Sequence, residues 1–299
     1  NYVQMALWEL YLETCKGVNN PKPTIGVRRG VLQRKVQVKE WRANNHKRAK
    51  EYLSSILQGS YITESIMLVP VELVMISLEL KVQKAVGGSP EKKSAEFILK
   101  LVEQDYNEGI VYYILDGQNR LEEAIIPFFE NTICLDDQSQ YIIDDDTGDE
   151  FQLGGTYFKD LNGDVQNFIK NIPMTLHIAQ DGDIDSFVSS LISKNSGISW
   201  TDWQIVLTEN TFTKFREQIK QVCDDSVISD GVFEKLDGET YSQYKDGSEL
   251  FVSEMLIWMA KGVIPQRSKS YEQQKSFFDG TSTKEITDTM VSSLKKYLR

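Results

Sequence analysis

Five residues in succession, Asp116-Gly117-Gln118-Asn119-Arg120, combine a carboxylate, a glycine, two amides and a guanidinium. That set suits phosphate. An arginine gives bidentate hydrogen bonds to phosphate oxygens, a glycine lets backbone come close, and a carboxylate can hold Mg²⁺, which keeps few protein ligands and several waters. Gln118 and Asn119 are candidates to orient a water or to read a base or sugar. The same Asp-Gly pair is also a common hairpin turn. The residues that follow do not alternate, however. Leu121, Ala124, Ile125 and Phe128 recur at helical spacing after the apolar run IVYYIL, so the expected path is strand, tight turn, helix. Such a corner places Asp116 near an N-cap and turns the first amides of a helix outward, an arrangement that favours an anion by about 0.3–1 kcal/mol.

Composition narrows the chemistry. The chain holds only two histidines, His46 and His177, far apart in sequence, and three dispersed cysteines, Cys15, Cys134 and Cys223. Zinc hydrolases, HNH nucleases and Ser-His-Asp enzymes need more imidazole than this or need it clustered. A zinc site or a disulfide framework is not expected either. No apolar run is long enough to span a bilayer, and the opening NYVQMALWELYLETCKG lacks the basic start of a signal peptide. A cytoplasmic protein without membrane contact is therefore expected.

The net charge of −11 is unevenly spread. Residues 1–120 carry 17 basic and 13 acidic groups, while residues 121–299 carry 16 and 31. Arg28 to Lys50 holds nine basic residues against Glu40 alone. This stripe is a candidate surface for DNA phosphates, with Arg28, Arg29, Lys35, Arg42, Lys47 and Arg48 as its contacts, or simply a solvated helix face.

The elements that must position these groups read as a mixed α+β chain. Apolar spacing predicts a leading helix over residues 1–17, a short strand at VLQRKVQV, and a helix over NNHKRAKEYLSSILQGS ending at Gly59. SIMLVPVELVMISLEL reads as β-like with a break at Pro70. SPEKKSAEFILKLVEQDYNEG is a helix opened by Ser89 and Pro90, and a hairpin is expected to turn at Asp146-Thr147-Gly148. IPMTLHIA is a strand, DIDSFVSSLISKN a helix, and ISWTDWQIVLTENTFTKFREQIKQV a further helix. The remainder is mainly helical, with ELFVSEMLIWMAKG as a core helix. DDDTGDE, DLNGD and AQDGDID read as turns rather than cation loops. Trp200 and Trp203 read as core, with base stacking the sharper alternative.

The stretch ILDGQNRLEEAI resembles the DGQQR motif in the N-terminal domain of GmrSD-type restriction proteins and of related DGQHR-motif proteins. The likeness extends to RRGVLQRKVQVKEW, which is similar to the family's Tyr-Gln-Arg-Pro…Trp segment and supplies Gln33, Arg34 and Trp41. It extends also to the strand and helix before Asn195-Ser196-Gly197, which resemble the family's Asn-Thr-Gly-Gly element. The resemblance implies a ParB/sulfiredoxin-like front domain over residues 1–205, with a helical insertion at about 81–110, and a helical domain over 206–299. It implies that Asp116, Gly117, Gln118 and Arg120 form a nucleotide site, with Asn119, Gln33, Arg34 and Asn195 as further contacts, and that a nucleoside triphosphate and Mg²⁺, held by Asp116, are the cofactors. A Mg-dependent NTPase in DNA-directed defence or phage counter-defence, working with a separate nuclease, would follow, because the family's HNH-type domain has no counterpart here. The alternative is a binding or regulatory protein that kept the fold and lost the enzyme, acting on DNA or on a host protein. A homo-oligomer is compatible with either. Asn119 stands where relatives carry Gln or His, Leu32 and Lys35 replace Tyr and Pro, and the second glycine of the downstream turn is missing. The shorter Asn119 arm is expected to allow binding and slow hydrolysis.

Overall fold

A computed structural model describes residues 1–14, 23–26, 35–57, 66–136, 141–143, 148, 150–194, 202–210, 212–228, 231–232, 247–263, 270–280 and 282–299. The chain divides into two compact units, one built from residues 1–71 and 105–181, the other from 72–104 and 182–299. The boundary anticipated at 205 falls inside the second unit, and the helices anticipated as an insertion belong with the C-terminal helices rather than with the front domain.

The first unit is a five-stranded mixed sheet with helices packed on it. Strands β1 (Tyr2–Ala6), β2 (Ile25–Gly26), β3 (Ile66–Pro70), β4 (Tyr112–Asp116) and a strand at Pro173–Ile178 lie in the order β1, Pro173–Ile178, β3, β4, β2. β3 is central: it pairs antiparallel with β4 and parallel with Pro173–Ile178. Ile66, Leu68, Tyr113 and Ile114 are essentially inaccessible, as expected for strands covered on both faces. Helices α1 (Leu7–Thr14) and α2 (Lys35–Leu57) contribute Leu7, Leu10, Ala49, Leu53 and Ile56 to the same core. A small two-stranded hairpin, Tyr141–Ile143 with Glu150–Gln152, stands where it was anticipated. Its tip at 144–147 lies outside the described residues.

Three local expectations are corrected. The leading helix gives way over its first residues to β1, because Tyr2 to Ala6 find a complete antiparallel ladder opposite His177 to Pro173. α1 begins only where Leu7 N–H donates to Ile172 O. The strand anticipated at VLQRKVQV is helical from Lys35 onward, and Trp41, with 7 % exposure, seats that helix in the core against Tyr52. Within α2, Asn44, Asn45 and His46 have φ of 52°, 57° and 60°, a left-handed turn between two right-handed segments. Two of the three are asparagines, among the residues that tolerate this region best. The second segment starts where a helix start was anticipated. Finally, the β-like reading of residues 65–80 holds only to Pro70. Beyond it Val71, Val74 and Leu78 are buried at helical spacing on α3 (Val71–Lys84).

The second unit is helical. α3 and α4 (Pro90–Asn107) are tied to later residues of the unit by specific polar contacts. Ser77 Oγ accepts from Ile184 N–H, Lys81 Nζ meets Asp185 Oδ1 at 2.9 Å, and Ser94 Oγ accepts from Lys214 N–H. The single helix anticipated over 198–222 is two, Asp202–Glu209 and Lys214–Cys223, because Thr213 turns the chain and caps the second by accepting from Arg216 N–H. Phe215 then packs on Phe277 and Phe278, and buried Gln218 donates to Ile286 O. The ELFVSEMLIWMAKG helix, Gly247–Lys261, buries Val252, Leu256 and Ile257 as a core helix should. No helix among the described residues is long and apolar enough to cross a membrane.

One ion-pair node gives the second unit a pH signature. The Arg299 guanidinium, with Lys295 beside it, pulls the Asp225 carboxyl down from 3.8 to about 2. A carboxyl with a lowered folded pKa stabilises fully above its unfolded value, and that contribution drains away as pH falls through the folded one. The melting temperature of the wild type should therefore drop more steeply than that of Asp225→Asn between pH 4 and pH 2. Parallel curves across that window would refute the assignment.

Candidate functional site

β4 delivers Asp116 to the end of the sheet, opposite Met67 of β3. Gly117 follows in the left-handed region, φ 97° and ψ 8°, and the chain then enters α5 (Gln118–Arg120), a π-turn at Leu121–Ile125, and α6 (Ile126–Phe129). The strand, tight turn and helix anticipated from the spacing are all present. Leu121, Ala124, Ile125 and Phe128 face the core with no more than 1 % exposure, so four apolar anchors fix the helix behind the polar motif.

Glycine is required at 117 for two separate reasons. The positive φ disfavours any side chain, and a Cβ built there would stand 3.0 Å from Ile66 Cγ1. On another side it would lie 3.4 Å from Arg120 Nη1, so the arginine folds back over the glycine. The helical ladder begins when Gly117 O accepts from Arg120 N–H and Leu121 N–H, and the amides of Gln118 and Asn119 precede it. The Gly117 amide is used locally, donating to Asp116 Oδ1 at 2.8 Å. Gln118, largely buried, donates from Nε2 to Glu122 Oε2 at 3.0 Å. Asn119 and Arg120 are half-buried.

The structure thus brings Asp116, Gly117, Gln118, Asn119 and Arg120 together at one corner, and adds residues that the spacing alone did not single out. Glu122 and Glu123 lie in the quoted stretch, yet their roles depend on which side of the π-turn each faces. Glu123 is buried and receives Arg42 of α2 in a two-point contact, Nε to Oε2 at 2.7 Å and Nη2 to Oε1 at 2.9 Å. Hydrogen bonding to Glu123, against the opposing effect of burial, holds the Arg42 pKa above its ordinary value.

The basic stripe is accordingly less open than its sequence implies. Arg42 is committed to Glu123, Lys47 lies 3.7 Å from Glu51, and Arg48 sits over the Trp41 ring at 5.5 Å. Lys50 is buried. Lys35 is the first residue of α2. Arg28, Arg29, Gln33, Arg34 and Asn195 lie outside the described residues, as do Ser196, Gly197 and Trp200.

Among the described residues no group of three or more His, Cys, Asp or Glu is placed to hold a metal. Asp116 is the one carboxylate within the motif, which suits a cation that takes one protein oxygen and completes its shell with phosphate and water. The other acidic stretches behave as turns and caps where they are described. Asp183 and Ser186 form a reciprocal capping box, each backbone N–H donating to the other's side chain, and hydrogen bonding from the Ser186 backbone N–H, with its hydroxyl, lowers the Asp183 pKa. Asn162 caps the helix Gly163–Asn171. Comparisons with protein-family models, with curated proteins and with solved structures returned no match to this chain.

Substitution measures how tightly Gly117 is packed. Gly117→Ala should lower unfolding stability by about 1–2 kcal/mol from the left-handed backbone alone, more if Ile66 cannot yield. Gly87→Ala, whose added Cβ would meet nothing within 4 Å, should leave it nearly unchanged. Urea denaturation of the two variants beside wild type measures the difference, and equal midpoints for both would contradict the account.

Proposed function

We propose that the chain binds a nucleoside triphosphate at the Asp116–Arg120 corner, as its resemblance to DGQQR-motif proteins implies, and that its front unit is a ParB/sulfiredoxin-like domain. The observation that carries this reading is the placement of Arg120 Nη1 beside a left-handed Gly117 at a strand-to-helix junction. A guanidinium and the first amides of a helix there offer a phosphate both charge and hydrogen bonds.

The chemistry of such a site is positioning and charge neutralisation. Amides of Gln118 and Asn119 and the guanidinium of Arg120 receive the phosphate oxygens. Asp116 would hold Mg²⁺, which in bound form spreads phosphate charge. Gln33, Arg34 and Asn195 are carried as further contacts on the resemblance alone. Gln118 is turned toward Glu122 rather than outward, and this favours ligand retention over rapid hydrolysis. A nucleotide-dependent binding or regulatory protein is thus the reading we favour over a fast NTPase. Its setting would be defence against foreign DNA or a phage's answer to it, in the cytoplasm, with occupancy gating a partner nuclease or a host protein. Lys47 and Arg48, which remain exposed on α2, with Arg28, Arg29 and Lys35, are the candidates for DNA phosphates.

Calorimetry with ATP, GTP, CTP and UTP, each with Mg²⁺, tests the reading. Wild type should bind at least one, and Arg120→Ala should weaken that binding about tenfold or more, since a hydrogen bond to a charged group is worth about 1.5–3 kcal/mol. Phosphate release should be slow in wild type and reduced in Asp116→Ala. Absence of binding by wild type to all four nucleotides would overturn the proposal.

A further inference from the structure

We infer that Arg42 is a positioning residue for the Asp116–Arg120 corner, acting through Glu123, rather than a nucleic-acid contact. The inference deepens the nucleotide reading and rests on it for its functional half. Its structural half stands on three observations.

The first is the π-turn itself. A π-turn puts an extra residue into a helical ladder and is an uncommon, locally poorer hydrogen-bonding arrangement, often found beside functional sites. Here it covers Leu121–Ile125, immediately after Arg120. Its geometry therefore sets the direction in which Gln118 and Arg120 leave the helix. Something must hold it.

The second is the asymmetry of the pair. The Glu123 side chain is 4 % exposed and that of Arg42 is 62 % exposed. A carboxylate so covered would be strongly destabilised without a partner. Arg42 supplies two short charge-assisted bonds from outside, at 2.7 and 2.9 Å, and so pins the middle of the π-turn to α2. A guanidinium used this way cannot also give its fork to a DNA phosphate without stranding Glu123.

The third is what the neighbouring residue does. Glu122, one position before Glu123 on the same turn, receives Gln118 Nε2 at 3.0 Å. The side chain of the motif glutamine is thus aimed by one carboxylate of the π-turn while the next carboxylate is held by Arg42. Moving the turn moves Glu122, and with it Gln118. Glu122 also lies close enough to strengthen the charge on Arg42, so the two carboxylates and the two donors form one connected group. The charge on Arg42 matters less than its fork. Lysine would keep the former and lose the two-point contact.

Five variants test this: Arg42→Ala, Arg42→Lys, Glu123→Gln, the double variant Arg42→Ala with Glu123→Gln and, as a control of equal charge change at an exposed site of the same unit, Lys159→Ala. Two readouts are taken on each, the affinity for Mg²⁺ with the nucleoside triphosphate that wild type binds, and amide hydrogen exchange over residues 118–123. Arg42→Ala should weaken binding roughly tenfold, in the range usual for coupling between contacting residues, and speed exchange across 118–123. Arg42→Lys should fall between wild type and Arg42→Ala. Adding Arg42→Ala to Glu123→Gln should cost little beyond either single change. Lys159→Ala should leave both readouts near wild type. Unchanged exchange in Arg42→Ala, or equal effects of Arg42→Ala and Lys159→Ala, would overturn the inference. If wild type binds no nucleoside triphosphate the nucleotide reading fails, and the exchange comparison alone then decides whether Arg42 holds the turn. Arg42→Ala leaves the buried Glu123 carboxylate unpaired and should lower the melting temperature, whereas the double variant with Glu123→Gln removes that charge. Melting temperatures taken on every variant show that each is folded where binding and exchange are read.

Discussion

The contact of Ile66 with Gly117 governs the front unit. β3 must pass close to the end of β4 for the two to pair, and at the last pair the backbone of β4 has to leave the sheet without displacing β3. A residue lacking Cβ, with its backbone in the left-handed region, turns there at the least cost. The rest follows from that turn. It sends Leu121, Ala124, Ile125 and Phe128 into the core, and it leaves Gln118, Asn119 and Arg120 around the junction. The glycine is explained by packing within the fold. What distinguishes this corner from an ordinary strand-to-helix turn is the company it keeps, an arginine folded back over the glycine and a motif glutamine aimed by a glutamate.

Periodicity made the elements around the motif legible. β4, the helix that follows, α4, the hairpin and the strand at 173–178 all appear close to where the sequence places them, because each carries its own strong pattern. The misreadings share a cause. Residues 2–6 have helical apolar spacing, but a complete ladder of hydrogen bonds to Pro173–His177 outweighs it. VLQRKVQV alternates, yet from Lys35 the chain is helical and seats Trp41 in a core shared with Leu121 and Ala124. In both places a partner distant in sequence decides the outcome, and local spacing carries no trace of it. The division of the chain was hidden for the same reason, since the contacts of Ser77, Lys81 and Ser94 with residues around 184 and 214 have no sequence signature.

At the site, residue types were legible and roles were not. Asp116 to Arg120 could be singled out by chemistry and order alone. That Glu123 would be buried, and that an exposed arginine more than eighty positions earlier would satisfy it, depends on a π-turn that shifts the helical register. A regular helix would assign different faces to Glu122 and Glu123. The basic stripe shows the complementary point. Nine positive residues in twenty-three look like a surface for polyanions, but a cation near a buried carboxylate serves that carboxylate first, because its desolvation is the larger energy at stake.

The discontinuous second unit has a consequence for how the chain is made. Its first helices, residues 72–104, leave the ribosome long before residues 182–299, which complete their unit, while residues 105–181 close the sheet of the other one. Val74, Leu78, Ile98 and Val102, all buried in the finished protein, must wait through some eighty residues of synthesis, about 4–15 s at ordinary elongation rates, for much of their surroundings. The sheet unit is the one whose parts can all meet first. Order of emergence thus favours the sheet before the helices, and in the interval between them an apolar helix pair lacks the residues that bury it.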